Sequence, residues 1–334
     1  MKLAHSRRPA RGGFTLIELL VVVAIIAILV GLISAAVLRF MVKGPQTVTR
    51  QEIGQLESSV ALFHKEFGLG KEYMPSRLIL CERYTDYFVG GIPGNGPLSQ
   101  MHQDSLAFLQ RMFPKLWRTT TAQGVVVDWN NNGQADAAVL LEGDQCLVFF
   151  LGGIPTAPGQ TPGCLGFSYK GSNPATLGGS SRKGPYFEFK ATKLVQIHGN
   201  DTSANRYFSY QDGYQTSGPS NSVYAYFSSY RSNNGYNRFF GTKDQNGNPI
   251  TTSDCATLGV WPYAEFLGNN TTGPRYLNPN TFQIVSAGAD GTFGPGTDFS
   301  SATPQIWSPN LSDANIPPAA IDDQANFYGP LLGQ

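Results

Sequence analysis

Gly12-Gly13-Phe14-Thr15-Leu16-Ile17-Glu18-Leu19-Leu20 opens an apolar run that one carboxylate interrupts, and this stretch decides the architecture. From Leu19 to Leu38 only Gly31 and Ser34 break a series of Leu, Val, Ile and Ala. About twenty helical residues at a rise of about 1.5 Å reach about 30 Å, one hydrocarbon thickness, so a membrane-spanning helix is expected. Lys2, Arg7, Arg8 and Arg11 precede the run and only Arg39 and Lys43 closely follow it, which predicts a single pass with a cytoplasmic N-terminus. A secretory signal would have a shorter apolar core ending at a small-residue cleavage site. Here the small pair Gly12-Gly13 stands before the run, and cleavage there leaves the helix intact. Glu18, one turn into the span, is costly in hydrocarbon, which makes it a functional residue in need of a partner.

The segment Gly13-Phe14-Thr15-Leu16-Ile17-Glu18, with a basic leader before it and an apolar helix after it, resembles the class III signal of type IV pilins and of type II secretion pseudopilins. The resemblance implies a prepilin peptidase that cuts between Gly13 and Phe14 and N-methylates Phe14. Residues 1–13 are then a leader, residues 14–43 a transmembrane and assembly helix, and residues 46–334 an exported globular domain. It further implies assembly with copies of the same chain, where Glu18 neutralises the Phe14 amine of a neighbour. The physics agrees, because opposite charges buried together cost less than either alone. Phe14 and Glu18 also share a helix face, so an internal pair is open before assembly.

Composition bounds the exported part. Charged residues are 14% of the chain against about 25% in ordinary globular proteins, and aromatics reach 12%. With 38 Gly and 22 Pro, this predicts a loop-rich, weakly charged β structure. No basic patch suggests nucleic-acid binding. Past the span, Gly44-Pro45 is expected to break or kink the helix. Ile53, Leu56, Val60, Phe63 and Phe67 then recur at helical spacing, with Gly68 as the C-cap. Strands are expected at residues 125–127, 137–141, 146–151 and 282–286. Residues 152–280, dense in Gly, Ser, Asn and Tyr, read as a loop-rich β insertion. The expected class is α+β and pilin-like, a long N-terminal helix packed on an antiparallel sheet.

Two segments suggest calcium. In Asp128-Trp129-Asn130-Asn131-Asn132-Gly133-Gln134-Ala135-Asp136, the oxygen-bearing Asp128, Asn130, Asn132 and Asp136 with Gly133 reproduce most of a calcium-loop spacing. The twelfth position is Val139 and not an acid, so the loop is no EF-hand; it resembles the hairpin-borne calcium loops of FG-GAP repeats. An Asn-Gly hairpin turn without an ion is the competing reading. Near the C-terminus, the strand Phe282-Gln283-Ile284-Val285-Ser286 feeds Ala287-Gly288-Ala289-Asp290-Gly291, similar to the C-terminal loop of the major pseudopilin. The resemblance puts Asp290 and Asp298 at its acidic positions, with Asp322 and Asp323 more readily solvated in a terminal loop.

Cys81, Cys146, Cys164 and Cys255 leave three pairings open. The chain has no C-x-x-C, G-x-S-x-G or Walker loop, and no enzyme is expected. The leading expectation is a type II secretion pseudopilin anchored in the inner membrane with its domain in the periplasm, working with the secretion machinery. The alternatives are a surface type IV pilin for adhesion or motility and, in another class, a membrane-anchored periplasmic enzyme.

Overall fold

A computed structural model describes residues 15–169, 171–178, 181–199, 206–214, 222–231, 233–266, 275–294, 296–297, 320–329 and 331–332. The chain forms two compact units, Met1–Pro45 and Gln46–Gln334, and helix α1 (Leu16–Phe67) contributes to both. In the first unit the described side chains from Thr15 to Ser34 are all exposed, an apolar surface from Leu19 to Ile33 with Thr15 and Glu18 at one end and Ser34 at the other. Ser34 is accommodated there because its hydroxyl donates to the Val30 carbonyl at 2.6 Å, within the helix. The expected break at Gly44-Pro45 is not a helix end, since α1 continues through Pro45. Proline removes one N–H from the ladder, and the helix runs on past it despite that loss.

In the second unit the stripe behaves as its spacing predicts. Ile53, Leu56, Val60 and Phe63 are buried, and Gly68, at φ +61°, ends the helix in the left-handed conformation. The chain continues through β1 (Leu78–Leu80), α2 (Gln100–Met112), α3 (Thr120–Gln123), β2 (Val139–Leu141) and α4 (Gly143–Gly152). Then follow β3 (Phe167–Ser168), β4 (Arg182–Lys183), β5 (Leu194–Val195), β6 (Ser209–Tyr210), β7 (Ala225–Ser228), β8 (Ala264–Phe266), β9 (Arg275–Tyr276), β10 (Phe282–Ser286) and β11 (Gln324–Ala325). All pairings among these strands are antiparallel. The fold is therefore α+β: an N-terminal apolar helix with small antiparallel sheets, as in a pilin-like protein.

Two expected strands are corrected. Residues 125–127 form no strand, and residues 146–151 lie inside α4. An apolar run buried on every side has no alternation, so pattern alone does not separate strand from helix. Its N-terminus decides: Glu142 and Gln145 form a reciprocal capping box, which starts a helix. Gly143 fits there because a Cβ would stand 2.0 Å from the Tyr226 carbonyl oxygen.

The three-stranded sheet, in the order β11, β10, β7, separates two cores. Ile284 pairs with Tyr226, and both join the large core with Leu56, Phe63 and Phe150. Their strand neighbours Val285 and Ala225 face a second cluster with Tyr263 and Tyr276. This is the period-two alternation of a sheet covered on both faces. The Tyr-rich segment thus contributes a strand to the main sheet, and Tyr210, Tyr224, Tyr226 and Phe239 are buried. All four cysteines are free thiols, and burial pushes Cys81 up to about 12.

Candidate functional site

The described start of α1 holds a feature the sequence reading missed. Thr15 donates to Glu18 Oε2 from both its amide and its hydroxyl at 2.8 Å, and the Glu18 amide returns a 3.3 Å bond to Thr15 Oγ1. The spacing Thr-x-x-Glu is the capping-box signature that would have revealed it. Glu18 therefore closes the first turn of its own helix and keeps a carboxylate at the helix end. Gly13 and Phe14 lie outside the described residues. Among the described residues, Leu16–Ser34 is the one segment long and apolar enough to cross a membrane.

The loop at residues 128–136 is closed by its own hydrogen bonds and is not carried by a hairpin, because β2 pairs with β1 instead of with residues 125–127. Asp128 accepts from the amides of Asn132 at 3.0 Å and Gly133 at 2.7 Å. The side-chain amides of Asn130 and Asn132 donate to Asp136 Oδ2 at 2.8 and 2.6 Å. Asn131 and Gly133, at φ 57° and 77°, supply the sharp turn. The loop is pinned to the exit of β1: Trp129 Nε1 donates to the Cys81 carbonyl at 3.0 Å, and Val127 to the Glu82 carbonyl at 2.9 Å. This brings in Glu82, which the sequence reading missed. Its Oε2 accepts from the Asp136 amide at 2.7 Å, while its buried Oε1 has no hydrogen-bond partner. Burial pushes the Glu82 carboxyl up to about 7; the Asp136 and Asp128 charges add to this, while the amides of Asp136 and Trp129 oppose it.

At the C-terminal loop the structure brings Asp290 together with Asp322 and Asp323, while Asp298 lies outside the described residues. Asp322 Oδ2 accepts from the amides of Ala289 at 2.5 Å and Asp290 at 2.9 Å. Gly288, at φ +68°, is required here, since a Cβ would stand 2.3 Å from the Asp322 carbonyl oxygen. Asp323 is not solvated as expected of a terminal loop but fully buried. Its Oδ2 accepts from Tyr263 at 2.7 Å and the Gly294 amide at 2.9 Å, and its Oδ1 is buried without a partner. Burial pushes its carboxyl up to about 8, the charges of Asp322 and Asp290 contributing. An orphaned buried carboxylate oxygen beside two more acids fits a hard, oxygen-seeking cation.

A third cluster joins Glu142, Asp144 and His198, whose ligand atoms lie within 4.8 Å of one another. Asp144 Oδ2 meets both His198 Nε2 at 2.8 Å and Ser209 Oγ at 2.5 Å. The acid stands in the middle, where a Ser-His-acid relay needs the histidine. Glu142 is engaged by the Thr257 amide at 2.7 Å and the Thr257 hydroxyl at 3.2 Å. This cluster ties the start of α4 to its neighbours.

Comparison with protein families gives one match: residues 8–34 carry the prokaryotic N-terminal methylation motif. No curated protein and no solved structure matches the chain. The matched residues span the Gly13-Phe14 junction, Glu18 and the apolar helix. They mark the N-terminus as the class III signal of type IV pilin-like filament subunits and α1 as a membrane anchor.

Proposed function

We propose that this chain, anchored by the helix that carries the methylation motif, is a structural subunit of a pilus-like filament, and specifically a pseudopilin of a type II secretion system. The observation that carries the reading is the match over residues 8–34, which joins a basic leader, the Gly13-Phe14 junction, Glu18 and the apolar helix in one signal. Prepilin peptidase removes residues 1–13 at the inner membrane and methylates Phe14. The domain from Gln46 onward lies in the periplasm. Apolar helices of successive subunits then bundle, and Glu18 of one neutralises the Phe14 amine of the next inside lipid. Head-to-tail contact of this kind does not close, so it propagates as a helical fibre. The role is assembly and not catalysis.

The secretion-system assignment draws on residues 282–291 and the acids beside them. In this reading calcium is held by Asp290 with Asp322 and Asp323, and the resemblance adds Asp298. A surface pilin would gain from displayed aromatic side chains, whereas Tyr210, Tyr224 and Tyr226 are buried. Neighbouring genes for a secretin and a secretion ATPase support the pseudopilin; a retraction ATPase supports the surface pilin. The direct test is N-terminal sequencing with mass analysis of the mature protein. The expected terminus is Phe14 bearing one methyl group. A chain still beginning at Met1, or one trimmed beyond the apolar segment, overturns the reading.

A further inference from the structure

We propose a separate calcium site at residues 128–136, in which Glu82, from the exit of β1, supplies the acidic ligand that the loop's own twelfth position lacks. Calcium takes six to eight oxygens, and a loop of this spacing offers them from positions 1, 3, 5, 7 and 9, with an acid from position 12 to complete the shell. Here those positions are Asp128, Asn130, Asn132, the Gln134 carbonyl and Asp136, and position 12 is Val139. Val139 lies in β2 and pairs with Leu80 of β1. That pairing draws the loop onto the end of β1, two residues before Glu82. The bonds from Trp129 to the Cys81 carbonyl and from Val127 to the Glu82 carbonyl hold it there.

The independent observation is Glu82 itself. The residue is 2% exposed, Oε2 is anchored on the Asp136 amide, and buried Oε1 makes no hydrogen bond of its own, the Trp129 amide acting on the carboxyl from nearby. A buried acceptor left unmatched is costly, and a buried carboxylate oxygen more so. Asp128 and Asp136 add two further carboxylates, and among the described residues none of the three is in an ion pair. The Asp128 and Asp136 charges both act on Glu82, and the Asn130 and Asn132 side-chain oxygens, which accept from the Asn132 and Gln134 amides at 3.1 and 2.7 Å, each keep a second lone pair. A divalent, oxygen-seeking cation satisfies both the charge and the orphaned acceptor. With three carboxylates the affinity moves from the millimolar range of weak extracellular loops toward about 10⁻⁵ M.

The test uses the full chain purified in detergent with Asp290→Asn and Asp322→Asn, which removes the C-terminal cluster and keeps this site distinct from it. Calorimetric titration with calcium chloride should show one remaining site. Adding Glu82→Gln, which keeps an acceptor for the Asp136 amide but loses the charge, should weaken binding at least about ten-fold. Its calcium-free Tm should not fall, because an unmatched buried charge has been removed. Should that variant not fold, Asp136→Asn decides, with the same expected loss. Absence of calcium heat in the parent up to about 10 mM, or parental affinity in either folded variant, overturns the site.

Discussion

Glu18 has two duties that belong to different stages. In the described helix its carboxylate accepts from the Thr15 amide and hydroxyl, a cap worth about 0.5 to 2 kcal/mol to the first turn. In a filament the same carboxylate would meet the Phe14 amine of a neighbour. The two roles separate by substitution. Thr15→Ala removes only the hydroxyl half of the box and should leave assembly intact while fraying the helix start. Glu18→Ala removes the charge as well and should give subunits that are cleaved and methylated but fail to form filaments. Electron microscopy of sheared filaments, alongside mass analysis of the processed chain, reads both. Normal filaments from Glu18→Ala would refute the pairing.

At the scale of elements, the outer part of α1 is held to the rest of its unit by more than its apolar stripe. Glu52 receives the Lys193 ammonium at 2.6 Å and the Tyr224 hydroxyl at 2.8 Å, with both charged side chains 7% exposed. Lys193 precedes β5 and Tyr224 precedes β7, so one carboxylate on α1 ties the helix to the lead-ins of two strands. Burial holds the Lys193 ammonium below its usual range, against the hydrogen bond and charge of Glu52. Breaking such a pair strands a buried charge, while replacing both partners does not. Lys193→Met should therefore cost about 3 to 5 kcal/mol, and Glu52→Gln with Lys193→Met should recover most of that loss. Denaturant unfolding of the three proteins measures the difference; a double variant as unstable as Lys193→Met alone would show that packing, not charge, sets the cost.

For the whole molecule, buried acids give stability a direction with pH. Burial raises the Asp254 carboxyl above its ordinary 3.8, while Arg77 and hydrogen bonds from Ser76 and Tyr230 work the other way. Burial raises Asp212 as well, opposed by Ser286 and Ser222. A folded state that keeps protons the unfolded chain releases loses stability as pH rises from about 4 toward the raised value. Calcium-free Tm should thus fall across that interval, and Asp254→Asn should flatten the fall. A Tm that climbs with pH, or a slope unchanged by the substitution, would contradict the assignment.

The N-terminal order from leader through Glu18 to apolar helix was determined by residue chemistry alone, because a membrane tests each residue by its own transfer cost. Thr15-x-x-Glu18 was equally legible, and so was the stripe from Ile53 to Phe67, since helical periodicity is a local property. Asp128, Asn130, Asn132 and Asp136 are joined by hydrogen bonds within one short loop, again a local property. What sequence order could not provide was every contact made across the chain. Cys146 to Leu151 were unreadable by pattern because burial on all sides erases alternation; the Glu142–Gln145 capping box starts the helix, and only the tertiary structure shows Gly143 packed against Tyr226. β2 chose β1 over its neighbour in sequence, and that choice alone carries Glu82 to the loop. Asp323 went from an apparently solvated tail into the interior beside Tyr263 and Asp290. Local patterns are written in spacing; which distant acid completes a site is fixed only when strands pair and cores close.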